Sequence, residues 1–178
     1  MRTTTTMIAL TATTLALAAC NRTSVDTGAP LAGGRTATAM LVTATGAPAG
    51  RATATEVAGG IRITADVMGL APGTHGIHIH TVGSCTPPDF ASAGGHWNPT
   101  AMKHGSMNPQ GPHAGDMPNL ILGTDGRGTV AVTIPAATFD GLLDADGSAI
   151  VVHAGVDDLK TDPSGNSGGR LACGVFAA

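Results

Sequence analysis

The sequence predicts an all-β domain, a sandwich or flattened barrel of about eight short strands carrying two long functional loops. Three observations lead there. Threonine, valine and isoleucine recur in short runs with an alternating pattern, the mark of half-buried strands. The 26 glycines and 11 prolines divide those runs at close intervals, while aromatic residues make up only 2% of the chain. No stretch carries the apolar period of a long amphipathic helix, and no internal repeat is visible.

The first strand is Thr36–Thr45, small and β-branched, closed by the turn Gly46–Gly50 with Pro48 at its centre. Ala52–Val57 and Ile61–Val67 follow, separated by Gly59 and Gly60. In the latter, Ile61, Ile63, Ala65 and Val67 alternate with Arg62, Thr64 and Asp66, so one face belongs to a core and the other to water. Gly69–Gly73 is the next turn. Gly76–His80 is a strand whose alternation sends Ile77 and Ile79 to one face and His78 and His80 to the other. Thr81–Met117 holds no credible strand. Stretches of this length without regular structure are usually functional or disordered in compact domains, and this one contains His96, His104 and His113, so it reads as a metal-stiffened loop. Leu120–Leu122 and Thr129–Ile134 flank Asp125 and Gly126 and read as a hairpin. Asp140–Gly147 is a turn-rich connection, and Ala149–Val152 is a short buried strand ending at His153. Gly155–Arg170 is the second long loop, and Leu171–Phe176 is the closing strand.

A length of 178 residues suits one domain. A net charge of −3 leaves no broad basic surface, and with few aromatics to stack bases nucleic-acid binding is disfavoured. Residues 1–19 read as an export signal: Arg2 gives a minimal positive start, and Met7–Ala19 is apolar but too short to span a bilayer. The run Leu17-Ala18-Ala19-Cys20 resembles the lipobox of bacterial lipoproteins. On that reading Cys20 is the lipidated first residue of the mature protein, residues 20–34 are a flexible tether, and residues 35–178 are the domain. The expected location is the periplasmic side of a bacterial cell envelope, with the lipid as the only membrane contact. The alternative is an ordinary cleaved signal with a chance cysteine. Without Cys20, two of the three cysteines remain, Cys85 and Cys173. They are either a disulfide, which an oxidising compartment favours, or two free thiols. Closing so long a loop contributes about 4–5 kcal/mol in the chain-entropy account.

Of the seven histidines, His75, His78, His80, His96, His104 and His113 lie between residues 75 and 116, and His153 stands alone downstream. Imidazole suits zinc and copper, and a chain only 12% charged that crowds histidines in this way points to a metal site. An H-x-H pair is weak alone. The convergence of a whole set is not.

The segments HGIHIH, AGGHWNPTAMKHG, GPHAGD, VVHAGVDDL and GNSGGRLACGV resemble the signature segments of copper–zinc superoxide dismutase in its bacterial exported form, from about Arg35 to the C-terminus. The resemblance implies a Greek-key, eight-stranded flattened barrel with immunoglobulin-like sandwich architecture. It implies His78, His80, His96 and His153 as copper ligands, with His96 bridging to a zinc held also by His104, His113 and Asp116. The zinc ligands follow one another at intervals of eight, nine and three residues. It further implies Asp157 as the carboxylate linking ligands of the two metals, a Cys85–Cys173 disulfide, and Arg170 as the guanidinium over the copper. The implied activity is disproportionation of superoxide to oxygen and hydrogen peroxide, with His96 carrying a proton and Arg170 binding the anion without exchanging one. Superoxide is the implied partner, and the chain is expected as a monomer or homodimer.

Other readings stand beside this one. The same sandwich serves a copper-handling protein without turnover, or a structural lipoprotein domain that leaves the histidines unexplained. Lys103 and Lys160 are candidates for steering superoxide, or simply solvated cations. His75 lies off the ligand face and reads as a structural hydrogen-bonding group, while Trp97 either packs at a subunit contact or lines the loop. Thr81 stands where relatives often carry an acid, the chain has no tyrosine, and the second loop is sparse in charge. These departures bear on steering and on dimer contacts, not on the ligand set.

Overall fold

The computed structural model describes residues 29–178. The sequence readings for the export signal, for Cys20 and for most of the tether lie outside the described residues. Nine strands run in the order β1 Thr36–Thr43, β2 Pro48–Val57, β3 Gly60–Val67, β4 Gly73–His75, β5 Ile77–His80, β6 Leu120–Leu122, β7 Gly128–Pro135, β8 Ala149–His153 and β9 Arg170–Val175. Seven of them form one curled antiparallel sheet ordered β5-β8-β9-β1-β2-β3-β7, and β4 pairs with β6 beside it. The all-β expectation is met. Among the described residues the only helical turns are a 3₁₀ turn at Ala91–Ala93 and α1 Phe139–Leu142, which is capped by the Thr138 side chain.

Alternation explains the core. Ala37, Ala39 and Leu41 of β1, Ala52 and Ala54 of β2, and Ile61, Ile63, Ala65 and Val67 of β3 all face inward, so a chain poor in aromatics fills its interior with alanine and branched aliphatics. β8 is buried on both faces. Ile150 and Val152 join the main core, while Ala149 and Val151 join a second cluster with Phe90, Ala93 and Cys173. That is why Ala149–Val152 is apolar without interruption.

The strand expected at Gly76–His80 is present as β5, Ile77–His80, and a separate short strand, β4, precedes it. One sequence reading is corrected. Asp125–Gly126 does make a tight turn, with Gly126 N–H on Gly123 O and Gly123 N–H on Arg127 O, but the flanking strands are not a hairpin pair. β6 pairs with β4 and β7 with β3, while Leu120 and Leu122 of the one and Val130 and Ile134 of the other enter the same core.

The long stretch after β5 is tied down rather than free. Cys85 and Cys173 form a disulfide with Cα atoms 5.7 Å apart, fastening its beginning to β9. Its later part lies along β5: Trp97 N–H donates to Ile79 O, Ile79 N–H to Gly115 O, and Gly115 N–H to Trp97 O. Isolated bridges pair His80 with His96 and His78 with Asp116. Backbone bonds therefore place the loop histidines beside the strand histidines.

Candidate metal centre

β5 presents His78 and His80 on the face away from Ile77 and Ile79, as alternation predicts, and all four residues are buried. β8 runs antiparallel to it and delivers His153 at its end. The loop alongside β5 adds His96. Each of these four residues offers one ring nitrogen, and those nitrogens lie within 4.8 Å of one another. His80 Nε2 and His153 Nε2 are 3.4 Å apart, with the far nitrogen of each ring fixed by a carbonyl: His80 Nδ1 on Gly94 O at 2.9 Å and His153 Nδ1 on Gly168 O at 3.3 Å.

A second group adjoins the first and shares His96. His96, His104, His113 and Asp116 gather within the same 4.8 Å limit. Asp116 Oδ1 lies 2.8 Å from His96 Nδ1, 3.1 Å from His104 Nδ1 and 3.2 Å from His113 Nδ1. His96 Nδ1 and His113 Nδ1 are 3.5 Å apart. Ligand bonds of about 2.0–2.1 Å at a tetrahedral ion require neighbouring donor atoms about 3.3 Å from one another. The observed spacings scatter around that value. Asp116 Oδ2 is occupied by the N–H groups of Gly105 and His113, at 2.8 and 3.0 Å, which aim Oδ1 at the rings.

Asp157 joins the two groups. Its Oδ2 accepts from His78 Nε2 at 2.6 Å and its Oδ1 from His104 Nε2 at 3.0 Å, with all three side chains fully buried. The opposite nitrogens, His78 Nδ1 and His104 Nδ1, have no hydrogen-bond partner, and neither has His96 Nε2. Buried polar atoms without partners are rare and costly. Here every orphan ring nitrogen points into one of the two groups, as ion ligands must. The donor sets fit copper, with four imidazoles, and zinc, with three imidazoles and one carboxylate.

Electrostatics prepares the rings for a cation. Burial pushes His78 down to about 4 against the pull of Asp157, His80 down to about 2 and His153 down to about 3. Burial also lowers His113, with Asp116 opposing. Burial works to raise both carboxylates, but hydrogen bonds prevail. His96 and Gly105 N–H hold Asp116 at about 2, and His78, His104 and Leu159 N–H hold Asp157 at about 2. Neutral imidazoles beside ionised carboxylates are the ligating forms. All these shifts are downward, so the metal-free folded state binds fewer protons than the unfolded chain. Its stability is therefore full above pH about 6.5 and falls as acid reaches the unfolded histidines, and the carboxylate share goes between about 3.8 and 2. The unfolding temperature of metal-free protein is expected to be lower at pH 5 than at pH 7.5. Equal values would contradict the buried neutral rings.

An opening of about 260 Å³ leads to the first group, bounded by His80, His96, His153, Asn98, Pro163, Ser164, Gly168 and Arg170. Arg170 reaches it with Nη1 on Phe90 O at 2.6 Å and Nη2 on Gly94 O at 2.7 Å. Burial depresses its guanidinium, opposed by Asp89, without removing the charge. A larger cleft of about 480 Å³, mostly apolar and walled by Trp97, Pro112, Val132 and Ile134, lies on the other side of His113 and Asp116. The smaller opening is the one that meets the four-histidine group.

The family pattern described as Copper/zinc superoxide dismutase (SODC) matches residues 48–176. The chain belongs to the copper/zinc superoxide dismutase family. It is 45% identical to Superoxide dismutase [Cu-Zn] 2 of Aquifex aeolicus over 146 residues, 78% of this chain and 84% of that one. It is 44% identical to the Superoxide dismutase [Cu-Zn] of Caulobacter vibrioides over 147 residues, 79% and 84% of the two chains. Among solved structures, a SOD-like protein from Bacillus subtilis superposes with a TM-score of 0.74 at 41% identity, over 79% of this chain and 97% of that one. The Cu/Zn superoxide dismutase from Brucella abortus gives 0.66 at 29% identity, over 80% and 100%. Membership makes this chain a superoxide dismutase that uses copper and zinc.

His78, His80, His96 and His153 gather in one group and His96, His104, His113 and Asp116 in the other, with Asp157 between them and Arg170 at the opening. The Lys103 ammonium lies 3.0 Å from Asp162 Oδ2, whereas Lys160 is exposed. His75 sits behind the ligands, with Nδ1 2.9 Å from His153 O and Nε2 3.1 Å from Ala71 O. Trp97 is buried in the main core and walls the apolar cleft. Two residues that sequence reasoning passed over complete the support of Asp157. Asn119 takes its backbone in a two-point grip, Nδ2 on Asp157 O at 2.8 Å and Oδ1 under Asp157 N–H at 2.9 Å. Gly165, at φ +63°, leaves the space that Asp157 and His104 fill, where any Cβ would overlap the Asp157 carboxylate. Nothing in the spacing of either residue advertises this; it follows from two loops meeting.

Proposed function

We propose that this dismutase binds copper through His78, His80, His96 and His153 and zinc through His96, His104, His113 and Asp116, with the ring of His96 shared between them. The observation that carries the reading is the set of orphaned nitrogens, His78 Nδ1, His96 Nε2 and His104 Nδ1, each buried and facing a group of donors. Copper, when bound, supplies the one-electron redox change by which two superoxide anions and two protons become oxygen and hydrogen peroxide. The chain does the rest. His96 holds or releases a proton at Nε2 while Nδ1 stays with the zinc group. Asp157 keeps the rings of His78 and His104 in one tautomer by accepting from both Nε2 atoms. Arg170, at the mouth and fixed by two carbonyls, attracts the anion and stabilises its charge.

The test is metal content and dismutation on one sample. One copper and one zinc per chain with high activity supports the reading, whereas a fully copper-loaded protein without activity refutes it. Arg170→Ala is expected to lower kcat/KM about tenfold while both metals stay bound, because an electrostatic contact is lost and no ligand is. An unchanged rate removes the anion role. For location, we read Cys20 as the lipidated residue that holds the domain at the periplasmic side of the envelope. Cys20→Ala is then expected to move the protein from the membrane pellet to the soluble fraction, and continued pelleting rejects the anchor.

A further inference from the structure

We infer that Asp162, in the second long loop, is a positioning residue for zinc: its carboxylate clasps the backbone of His104 and so holds that ring at the ion. The inference rests on the ligand set proposed above. Asp162 Oδ1 accepts the His104 N–H at 2.8 Å, and Oδ2 accepts from Lys103 Nζ at 3.0 Å. His104 is therefore held from the second loop at two points, its backbone by Asp162 and its ring by Asp157. The side chain of His104 is fully buried, with Nδ1 left for the ion.

Asp162 Oδ1 also lies 3.9 Å from His113 Nε2, too far for a hydrogen bond, and the two closer contacts differ in kind. The Lys103 pair is exposed, 54% on one side and 38% on the other, and exposed pairs of this sort contribute little. The His104 contact is partly buried and charge-assisted, and it acts on the residue next to the ion. Met107 N–H on Leu159 O at 2.9 Å and Asn108 Nδ2 on Lys160 O at 3.3 Å join the same two loops, so losing Asp162 loosens His104 without separating the loops. Mutating a group that orients a ligand commonly costs about 10–100-fold in metal affinity.

The experiment compares Asp162→Ala, Asp162→Asn and Lys103→Ala with the parent enzyme, full-length and loaded with both metals. Zinc release to a chelator and copper retention are read on the same samples. Exchange of the His104 amide hydrogen is read on the metal-free proteins. Asp162→Ala is expected to release zinc about tenfold faster with copper retention unchanged, and to expose the His104 amide to exchange. Asp162→Asn, which keeps an acceptor, restores much of both, and Lys103→Ala behaves as the parent. Equal loss of copper and zinc would show general loosening and overturn the inference, as would an unchanged amide or an Asn variant as fast as Ala. A parent that takes up no zinc refutes the ligand set instead, and the amide exchange still decides whether the clasp exists.

Discussion

His80→Ala is expected to abolish dismutation while leaving zinc in place. His80 closes β5 and is buried, with Nδ1 committed to Gly94 O and Nε2 3.4 Å from His153 Nε2. Truncation takes one of four nitrogens from the copper group and none from the zinc group, which draws on His96, His104, His113 and Asp116. Removing even an indirect support of a metal commonly costs about 10–100-fold in affinity or activity, so losing a direct ligand is expected to cost more than about a hundredfold in rate. Elemental analysis of the purified variant should find zinc near parental content with copper depleted. A variant that dismutates superoxide as fast as the parent would remove His80 from the site.

How much of this was legible in the sequence depends on the kind of interaction. Alternation was enough for β3 and β5, because a one-residue slip would turn Ile61 out of the core and exchange Ile77 and Ile79 with the histidines. The ligands themselves were legible because metal chemistry admits few residue types, and six of the seven histidines fall between residues 75 and 116. Partner choice between strands was not. β6 and β7 surround a well-formed turn, yet each pairs elsewhere, since turn chemistry fixes the reversal and not the partner. The supports were least visible. Asn119, Gly165 and Asp162 act through backbone contacts between loops far apart in the chain, and no periodicity records that. Lys103 shows the same limit, since a lysine beside a metal loop reads equally as a steering charge or a solvated cation, and nothing in its spacing announces Asp162 against it.

Asp157→Ala is expected to weaken both metals at once, the opposite of the selective loss at His80. The carboxylate touches no ion in the proposed arrangement, but it accepts from His78 in the copper group and from His104 in the zinc group, and Leu159 N–H donates to it at 2.6 Å. Alanine leaves two buried ring N–H donors without acceptors, and each ring is then free to rotate or to change tautomer. An orphaned buried donor costs about 1–3 kcal/mol, so the metal-free protein should also unfold at lower denaturant concentration. The two-point grip of Asn119 on the backbone of residue 157 keeps the loop in place, which confines the damage to the rings. Affinity for each metal is expected to fall about 10–100-fold. Asp157→Asn separates charge from geometry. Its amide has one acceptor oxygen where the carboxylate gives Oδ2 to His78 and Oδ1 to His104 and Leu159 N–H, so it can satisfy His78 or His104 but not both. Metal titrations should therefore find the Asn variant weakened mainly at one metal and the Ala variant at both. Parental affinity for copper and zinc in Asp157→Ala would mean that packing alone orients the rings, and the carboxylate would lose its place between the two sites.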